Sequence, residues 1–260
     1  MSAPLSGKSI WVTRPAHQAR DWADRIAAAG GTPLCEPLLA IDVAADPAAA
    51  HAALARATTA DIVIASSVNA VEHAWRLSPE FAPEGALFGV GAASARALAA
   101  ACGRPVAQPE DCFSSEHLLA LDALRDCAGQ RVALLAGEGG RTALADTLDA
   151  RGAQVEKLAL YRRRPCVIAP ARLQHLLAAS DAVVVTSAQA LAQLECLMAA
   201  ADSGDCRRAL ERCVLVAPSS RVVKQGNQRL RWTRAPVIVD RVSGDAVVAA
   251  LARVWRGNGQ

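Results

Sequence analysis

Aromatic residues are scarce in this chain of 260 residues. They make up 3% of the sequence, and Tyr161 is its one tyrosine. So few rings leave little surface for stacking on bases, and a net charge of +3 is too weak for a groove that follows a phosphate backbone. We therefore expect no nucleic-acid partner.

Metal-binding and redox motifs are also absent. The eight cysteines form no CxxC pair, which excludes a local zinc ribbon or thioredoxin motif, and we interpret them as free thiols in small apolar sites. The five histidines share no ligand spacing, so we interpret them as surface residues on helices and expect no metal and no cofactor. These histidines are His17, His51, His73, His117 and His175.

Long hydrophobic runs are missing as well. No segment is apolar over the roughly 20 residues that a membrane span needs, and no signal-peptide run is visible at the N-terminus. We expect a cytoplasmic protein without membrane contact. The sequence also lacks GxSxG, HExxH and Walker motifs, and with them the common hydrolase, metalloprotease and nucleotidase chemistries.

The chain is rich in apolar residues, which make up 52% of it, and charged residues make up 20%. This composition excludes disorder, and the length suits one large or two small domains. A pattern of apolar strand, turn of small residues and amphipathic helix recurs along the chain, which is typical of parallel sheets wrapped by helices. One helix is expected after Ser114 and Ser115, carrying Leu118, Leu121 and Leu124.

The two halves of the chain resemble each other. DIVIASS from Asp61 lines up with DAVVVTS from Asp181, and Gly31 lines up with Gly152. A duplicated α/β unit with two sheets explains this similarity. The extended stretches around Pro37 and before Pro165 are either inner strands or linkers between domains.

Residues 131–148 show the repeated unit most clearly. The apolar run 132–136 predicts a strand, Gly137, Gly139 and Gly140 predict a loop before Arg141, and a helix follows. The first amides of that helix make the loop a candidate anion site, with a plain connecting turn as the alternative.

Ligands of open parallel sheets bind beyond the carboxyl ends of the strands. The loops expected there are rich in hydroxyl groups and glycine, and they suit a polyanion held by amides, hydroxyls and arginines. The alternative for each Ser or Thr is a plain helix N-cap. The candidate residues are Thr13, Arg14, Ser66, Ser67, Asn69, Gly91, Ser94, Gly137, Gly139, Gly140, Arg141, Thr186, Ser187, Ser219, Ser220 and Arg221.

Tyr161 ends an extended run that is followed by three arginines. A phenol at the end of a strand can donate a hydrogen bond or a proton, and a core tyrosine is the alternative. We interpret residues 162–164 as a solvated charged edge.

Taken in order, the motifs resemble those of the uroporphyrinogen-III synthase family over nearly the whole chain. The resemblance implies an α/β fold of two doubly wound parallel-sheet domains joined by a two-stranded linker. One domain would comprise residues 1–36 plus 168–260 and the other residues 40–162, with linkers near 37–39 and 163–167. The segments that carry it are VTRPAHQARDWADRIAAAGGTPLCEPLLAI, DIVIASSVNAVEHAW, FGVGAASARALA, LLAGEGGRTALADTLDARGAQVEKLALYRRRP and VVVTSAQAL.

The same resemblance implies a monomeric, cofactor-free lyase of heme and tetrapyrrole biosynthesis. Such an enzyme closes linear hydroxymethylbilane into uroporphyrinogen III with loss of water and inversion of ring D, and contacts the preceding pathway enzyme only transiently. Tyr161 matches the tyrosine that assists loss of the hydroxyl. The family's other binding positions map onto Thr13, Ser67, Ser94, Ser187 and Ser219 or Ser220.

The sequence departs from the family pattern at two loops. Ala136 stands where many members have Arg, and APSSR at 217–221 is a loose match. The alternative function from another class is a non-catalytic two-lobed protein that binds or senses an anionic metabolite, although no helix-turn-helix or output segment is visible.

Overall fold

The computed structural model of the protein describes residues 3–109, 115–140, 142–227, 229–239 and 243–256. The chain forms two compact units. Unit 1 consists of Met1–Ala40 and Arg164–Gln260, and unit 2 is Ile41–Arg163. Within the described residues, no helix has the length and apolar character needed to span a membrane.

Strands and helices alternate along most of the chain. The strands are β1 (Ser9–Val12), β2 (Thr32–Cys35), β3 (Leu39–Val43), β4 (Ile62–Ala65), β5 (Ala86–Gly89), β6 (Arg131–Gly137), β7 (Gln154–Pro165), β8 (Ala182–Val184), β9 (Val214–Ala217) and β10 (Val237–Ile238). The helices are α1 (Ala16–Ala28), α2 (Pro47–Ala57), α3 (Val68–Leu77), α4 (Ala92–Cys102), α5 (Ser115–Leu118), α6 (Asp122–Arg125), α7 (Ala143–Ala150), α8 (Pro170–Ala179), α9 (Ala188–Ala201), α10 (Gly204–Arg212), α11 (Ser220–Gly226) and α12 (Gly244–Arg256).

Unit 1 is built on a five-stranded sheet in the order β10-β9-β8-β1-β2, and all of these pairs are parallel. Successive residues of β8 point to opposite faces: Val183 packs in a core with α8, α9 and α10, whereas Ala182 and Val184 pack in a core with α1 and α12. Helices therefore cover both faces of the sheet, which explains why β8 and β9 are buried throughout.

Unit 2 is built on a second five-stranded sheet in the order β3-β7-β6-β4-β5. On one face, Val63 packs in a core with α2, α3 and α4. On the other face, Ile62 and Ile64 pack in a core with α7 and with Leu118 and Leu124. The predicted α/β class with two doubly wound parallel sheets is confirmed.

In both sheets, an aspartate just before a strand makes the same pair of hydrogen bonds to a residue of the neighbouring strand, and we call this pair the aspartate clamp. The carboxylate of Asp181 accepts a hydrogen bond from the amide of Ser9 at 2.9 Å, and the carboxylate of Asp61 accepts one from the amide of Arg131 at 2.8 Å. Each aspartate also donates its own amide to the carbonyl of the same partner, at 2.8 and 3.0 Å respectively. The order β9-β8-β1-β2 of unit 1 is thus equivalent to β5-β4-β6-β7 of unit 2.

One detail of the predicted repeat is wrong. The structural counterpart of Gly152 is Gly30 rather than Gly31, since these two residues have φ angles of +85° and +83°. Both end a helix with the same hydrogen bond: Gly30 donates to Ala27 O and Gly152 to Asp149 O, each at 2.9 Å. Only a residue without Cβ adopts this left-handed conformation readily, so the two glycines are equivalent helix ends.

Other local predictions need correction. The single helix expected around Leu118, Leu121 and Leu124 is two short helices, α5 and α6, because Leu121 is extended with φ −67° and ψ 138°. Ser114 lies outside the described residues. The stretch before Pro165 is the inner strand β7, while Pro37 lies between β2 and β3, which belong to different sheets.

Two interpretations of side-chain environment were partly wrong. His73 is 3% exposed and belongs to the core, although the other four histidines are exposed. Cys35 and Cys196 are exposed rather than in apolar sites, although all seven described cysteines are free. Burial and the nearby Asp181 raise the pKa of the Cys213 thiol to about 12.

Candidate functional site

In unit 1, the predicted binding residues follow three neighbouring strands. Thr13 and Arg14 follow β1, Thr186 and Ser187 follow β8, and residues 219–221 follow β9. Because β9, β8 and β1 are adjacent and parallel, their carboxyl ends bring these loops to one edge of the sheet.

Most hydroxyl groups at this edge already have partners within the unit. Thr13 is buried, and its Oγ1 donates to Val184 O at 2.8 Å. Ser187 Oγ accepts from the amide of Ala190 at 3.1 Å, and Ser219 Oγ accepts from that of Val222 at 3.2 Å. These serines are helix N-caps, as the alternative interpretation allowed. Thr186 is half-buried, and Ser220 and Arg221 are exposed.

Arg14 is a half-buried positive charge at this edge. Its Nη2 donates to Gln18 Oε1 at 3.0 Å, and its Cζ lies 4.6 Å from the centroid of the Trp22 ring. Burial lowers the pKa of the guanidinium, and the charge of Asp21 opposes that shift. Among the described residues, the buried Nε has no hydrogen-bond partner, and what the half-buried guanidinium offers a carboxylate at this edge is its positive charge.

In unit 2, the predicted residues follow β4, β5 and β6. Ser66 Oγ donates to Leu135 O at 2.8 Å, and Asn69 is half-buried in the first turn of α3. Gly91 is the N-cap of α4; its amide donates to Ser94 Oγ at 3.1 Å, and Ser94 Oγ donates to Gly91 O at 2.8 Å. These hydroxyls fix the conformation of the loops that follow β4 and β5.

The glycine loop after β6 is closed by contacts with β7. The amide of Glu138 donates to Tyr161 O at 2.7 Å, so it is not available to an anion. Lys157 Nζ donates to Gly140 O at 3.1 Å, which places an ammonium group beside the loop. Gly139 has φ +63°, a left-handed conformation that glycine adopts readily. Arg141 lies outside the described residues.

Tyr161 is the centre of a polar cluster in unit 2. The side chain is 1% exposed, and its Oη lies 3.2 Å from Ser67 Oγ and accepts a hydrogen bond from Arg163 Nη2 at 2.9 Å. The ring lies 5.6 Å from that of His73. A Cβ on Gly137 would come within 2.6 Å of the phenol carbon Cζ, so this glycine leaves the space that the ring fills.

Sequence reasoning missed two members of this cluster. Residues 162–164 are exposed, as expected of a solvated edge, but Arg163 also contacts Tyr161, and two residues along a strand point to the same face, a period that links the two. His73 was interpreted as a surface residue, yet it lies one turn after Ala70 on the buried face of α3, next to Ala74. Both signals were present in the sequence.

The fold and these loops define the class of the protein: a duplicated, doubly wound α/β protein whose polar loops gather at the carboxyl edge of each sheet, where small molecules bind in such folds. Comparison with known proteins identifies the family. Residues 20–234 match the model of HEM4, described as uroporphyrinogen-III synthase HemD.

Curated relatives carry the same name. The uroporphyrinogen-III synthase of Escherichia coli (strain K12) is 30% identical over 257 residues, which cover 94% of this chain and 99% of that protein. The uroporphyrinogen-III synthase of Salmonella typhimurium is 33% identical over 165 residues, covering 60% of this chain and 65% of its own length. The chain belongs to the uroporphyrinogen-III synthase family.

A solved structure shares the fold. A mutant uroporphyrinogen III synthase of the extremely thermophilic bacterium Thermus thermophilus has a TM-score of 0.64 at 21% identity, with 96% of this chain and 100% of that chain covered. The predicted family is confirmed by these comparisons.

Proposed function

We propose that the protein is a uroporphyrinogen-III synthase that cyclises hydroxymethylbilane with loss of water and inversion of ring D. The observation that carries the proposal is the cluster of Tyr161, Ser67 and Arg163 at the ligand-binding edge of a sheet, in a chain of this family. A buried phenol with two polar neighbours is a group that can act on a leaving hydroxyl.

The chemistry needs little from the protein beyond positioning. When the C–O bond of the hydroxymethyl group breaks, its electron pair leaves with the oxygen, which takes up a proton and departs as water. The pyrrole nitrogen supplies electrons to form an azafulvene cation. The substituted carbon of ring D then attacks to give a spiro intermediate. Its older bond to the methylene bridge from ring C breaks, and the free α carbon of ring D bonds to that bridge, which inverts the ring. Holding the geometry of the first attack selects the product.

The substrate's carboxylates would be held in part by charge. Arg14 supports this role in unit 1, because its half-buried guanidinium lies at the loop edge and places a positive charge there. The amino end of α9, capped by Ser187, offers further amides to an anion in unit 1, and that of α3, capped by Ser67, does so in unit 2. Thr13 and Ser94 serve chiefly to hold their loops, since their hydroxyls bond within their own units.

The organisation of the chain follows from the same proposal. We take residues 1–36 plus 168–260 and residues 40–162 as the two domains, the protein as a monomer, and its contact with the enzyme that supplies the bilane as transient. The free state of the seven described cysteines supports a reducing compartment such as the cytoplasm.

The decisive experiment is the isomer formed from enzymatically generated hydroxymethylbilane without added cofactor. Left alone, the bilane closes by attack at the free carbon of ring D and gives the type I isomer. We expect the purified protein to convert it mainly to uroporphyrinogen III. Formation of type I at the spontaneous rate would overturn the proposal, and tight binding without turnover would favour a binding protein for an anionic metabolite.

A further inference from the structure

We infer that Arg163, Tyr161 and Ser67 form a directed hydrogen-bond relay, in which Ser67 is the group that donates to the leaving hydroxyl and Tyr161 acts through it. This inference rests on the proposed function for its substrate. Its geometry lies entirely within unit 2.

The direction of the relay follows from what each group can donate. A guanidinium carries donors only, so the 2.9 Å contact fixes Tyr161 Oη as an acceptor from Arg163. The phenol hydrogen then needs an acceptor, because a buried hydroxyl that donates to nothing is costly. The 3.2 Å contact supplies Ser67 Oγ as that acceptor.

Ser67 therefore has one hydrogen-bonding atom left for the substrate, its own hydroxyl hydrogen. Its Oγ already accepts from the amide of Ala70 at 3.2 Å, as the N-cap of α3. With the phenol as its second donor, both acceptor sites of the serine oxygen are occupied, and only its own hydrogen remains. Ser67 is half-buried whereas Tyr161 is 1% exposed, so the serine is the member of the pair that a substrate can reach.

The position of Arg163 allows it to fix the direction of the hydrogen bonds from Tyr161 to Ser67. It shares the strand face of Tyr161, and its Cζ lies 5.5 Å from the centroid of the phenol ring. Arg162 lies on the same strand with alternate orientation and is exposed, which makes it a matched control for the charge of this segment.

The proton balance closes within the reaction. Ser67 gives its proton to the departing oxygen, Tyr161 gives its proton to Ser67, and the phenolate that forms lies beside the Arg163 guanidinium. The free α carbon of ring D loses one proton when its pyrrole regains aromaticity, and this proton restores the phenol. No oxidant, reductant or metal takes part.

The first test needs no substrate. Because Tyr161 is the only tyrosine, protein labelled with [ζ-¹³C]tyrosine gives one ring-carbon resonance whose chemical shift reports the hydrogen bonds of the phenol. We expect Arg163→Met and Ser67→Ala each to move this resonance, and Arg162→Met to leave it in place. A resonance unchanged by Arg163→Met or by Ser67→Ala would overturn the relay.

The second test is kinetic. The relay predicts that Ser67→Ala lowers kcat by about the same 10²-fold as Tyr161→Phe, with KM little changed, and that the double variant loses no more than either single one. Ser67→Thr, which keeps both the cap and the hydroxyl, should restore most of the turnover. If Tyr161 donated directly, Ser67→Ala would keep most of kcat, and the relay would be wrong.

Loss of the cap must be separated from loss of the donor. Ser203 caps α10 by accepting from the amide of Cys206 at 3.4 Å, and it is not among the proposed site residues, so Ser203→Ala is the matched control for stability. We expect Ser67→Ala and Ser203→Ala to lower the midpoint of thermal unfolding by a similar amount, about 2–4 °C, and only Ser67→Ala to lose turnover. If the wild-type protein makes type III and Ser67→Ala has the same turnover as Ser203→Ala, the relay is refuted and the proposed function stands.

Discussion

The two units share a scaffold and differ in the chemistry at equivalent strand ends. Val12 pairs with Val184 and Leu134 pairs with Ile64, so the aspartate clamps make Arg14 of unit 1 the counterpart of Ala136 in unit 2. The first strand end of unit 1 therefore carries a guanidinium, whereas that of unit 2 carries a methyl group. Equivalent strand ends of two similar sheets therefore carry different chemical groups.

A second difference explains the buried phenol. Gly137 of unit 2 is the counterpart of Pro15, which precedes α1 in unit 1. Only the glycine leaves room for an aromatic ring, since a Cβ would lie 2.6 Å from the Tyr161 ring. Unit 2 has no cation at Ala136, and it is Arg163 on β7 that brings a guanidinium to the phenol. We expect variants at these strand ends to separate the roles of the two units.

The largest effect is expected where unit 2 has glycine and unit 1 has alanine. Gly89 is the counterpart of Ala217, and a Cβ there would lie 2.6 Å from the Cα, Cβ and N of Ala95. We expect Gly89→Ala to cost unit 2 about 3 kcal/mol of unfolding free energy because backbone must move. Ala217→Gly, which removes one methyl group, should cost unit 1 about 1 kcal/mol. Hydrogen exchange followed by mass spectrometry measures each unit separately.

Hydrogen exchange in unit 2 can also contradict this prediction. If exchange in unit 2 is unchanged by Gly89→Ala, α4 can move away from β5 at little cost. The close packing of strand end and helix start would then not distinguish the two units.

The next effect concerns the phenol that only unit 2 contains. Tyr161→Phe should slow turnover by roughly 10²-fold with little change in stability, because the hydroxyl is lost while the ring keeps its place over Gly137. Initial rates of type III formation measure the first quantity and thermal unfolding the second. Wild-type turnover in a folded variant would make Tyr161 a core residue without a catalytic role.

A smaller effect is expected at the cation of unit 1. Arg14→Met removes the guanidinium that lies over Trp22, and with it the charge and the donors, so KM should rise about tenfold with kcat unchanged, as for a binding contact made equally in ground and transition states. Arg20→Met, at an exposed position on α1, is the control. A fall in kcat alone would assign Arg14 to the chemical step instead.

Much of the scaffold could be predicted from the sequence, because apolar strands and helix caps are local signals. Asp61 and Asp181 marked the repeat, and they make equivalent hydrogen bonds in the two sheets. The helix α10 was not predicted, although Ser203 is a local N-cap signal for it. The break at Leu121 has no such local signal.

The candidate site was harder to predict than the fold. A serine before a helix looks the same whether it only caps or also meets a phenol: Ser187 and Ser67 both cap, and only Ser67 contacts Tyr161. The partner of Tyr161 on its own strand was visible in the spacing of Arg163. Its contact with Ser67 joins residues 94 positions apart, which only the sheet order brings together.

The smallest expected effect is that of chelation. Among the described residues of either unit, no group of three His, Cys, Asp or Glu side chains is placed to hold a metal ion. If Arg14 and the helix N-termini hold the carboxylates directly, EDTA and added Mg²⁺ or Zn²⁺ should leave the rate of type III formation unchanged. A loss on chelation that one metal restores would mean that a cation bridges the carboxylates to the protein. Arg14→Met would then change KM in the metal-free protein only, and the charged edge of unit 1 would not by itself account for the binding of carboxylates.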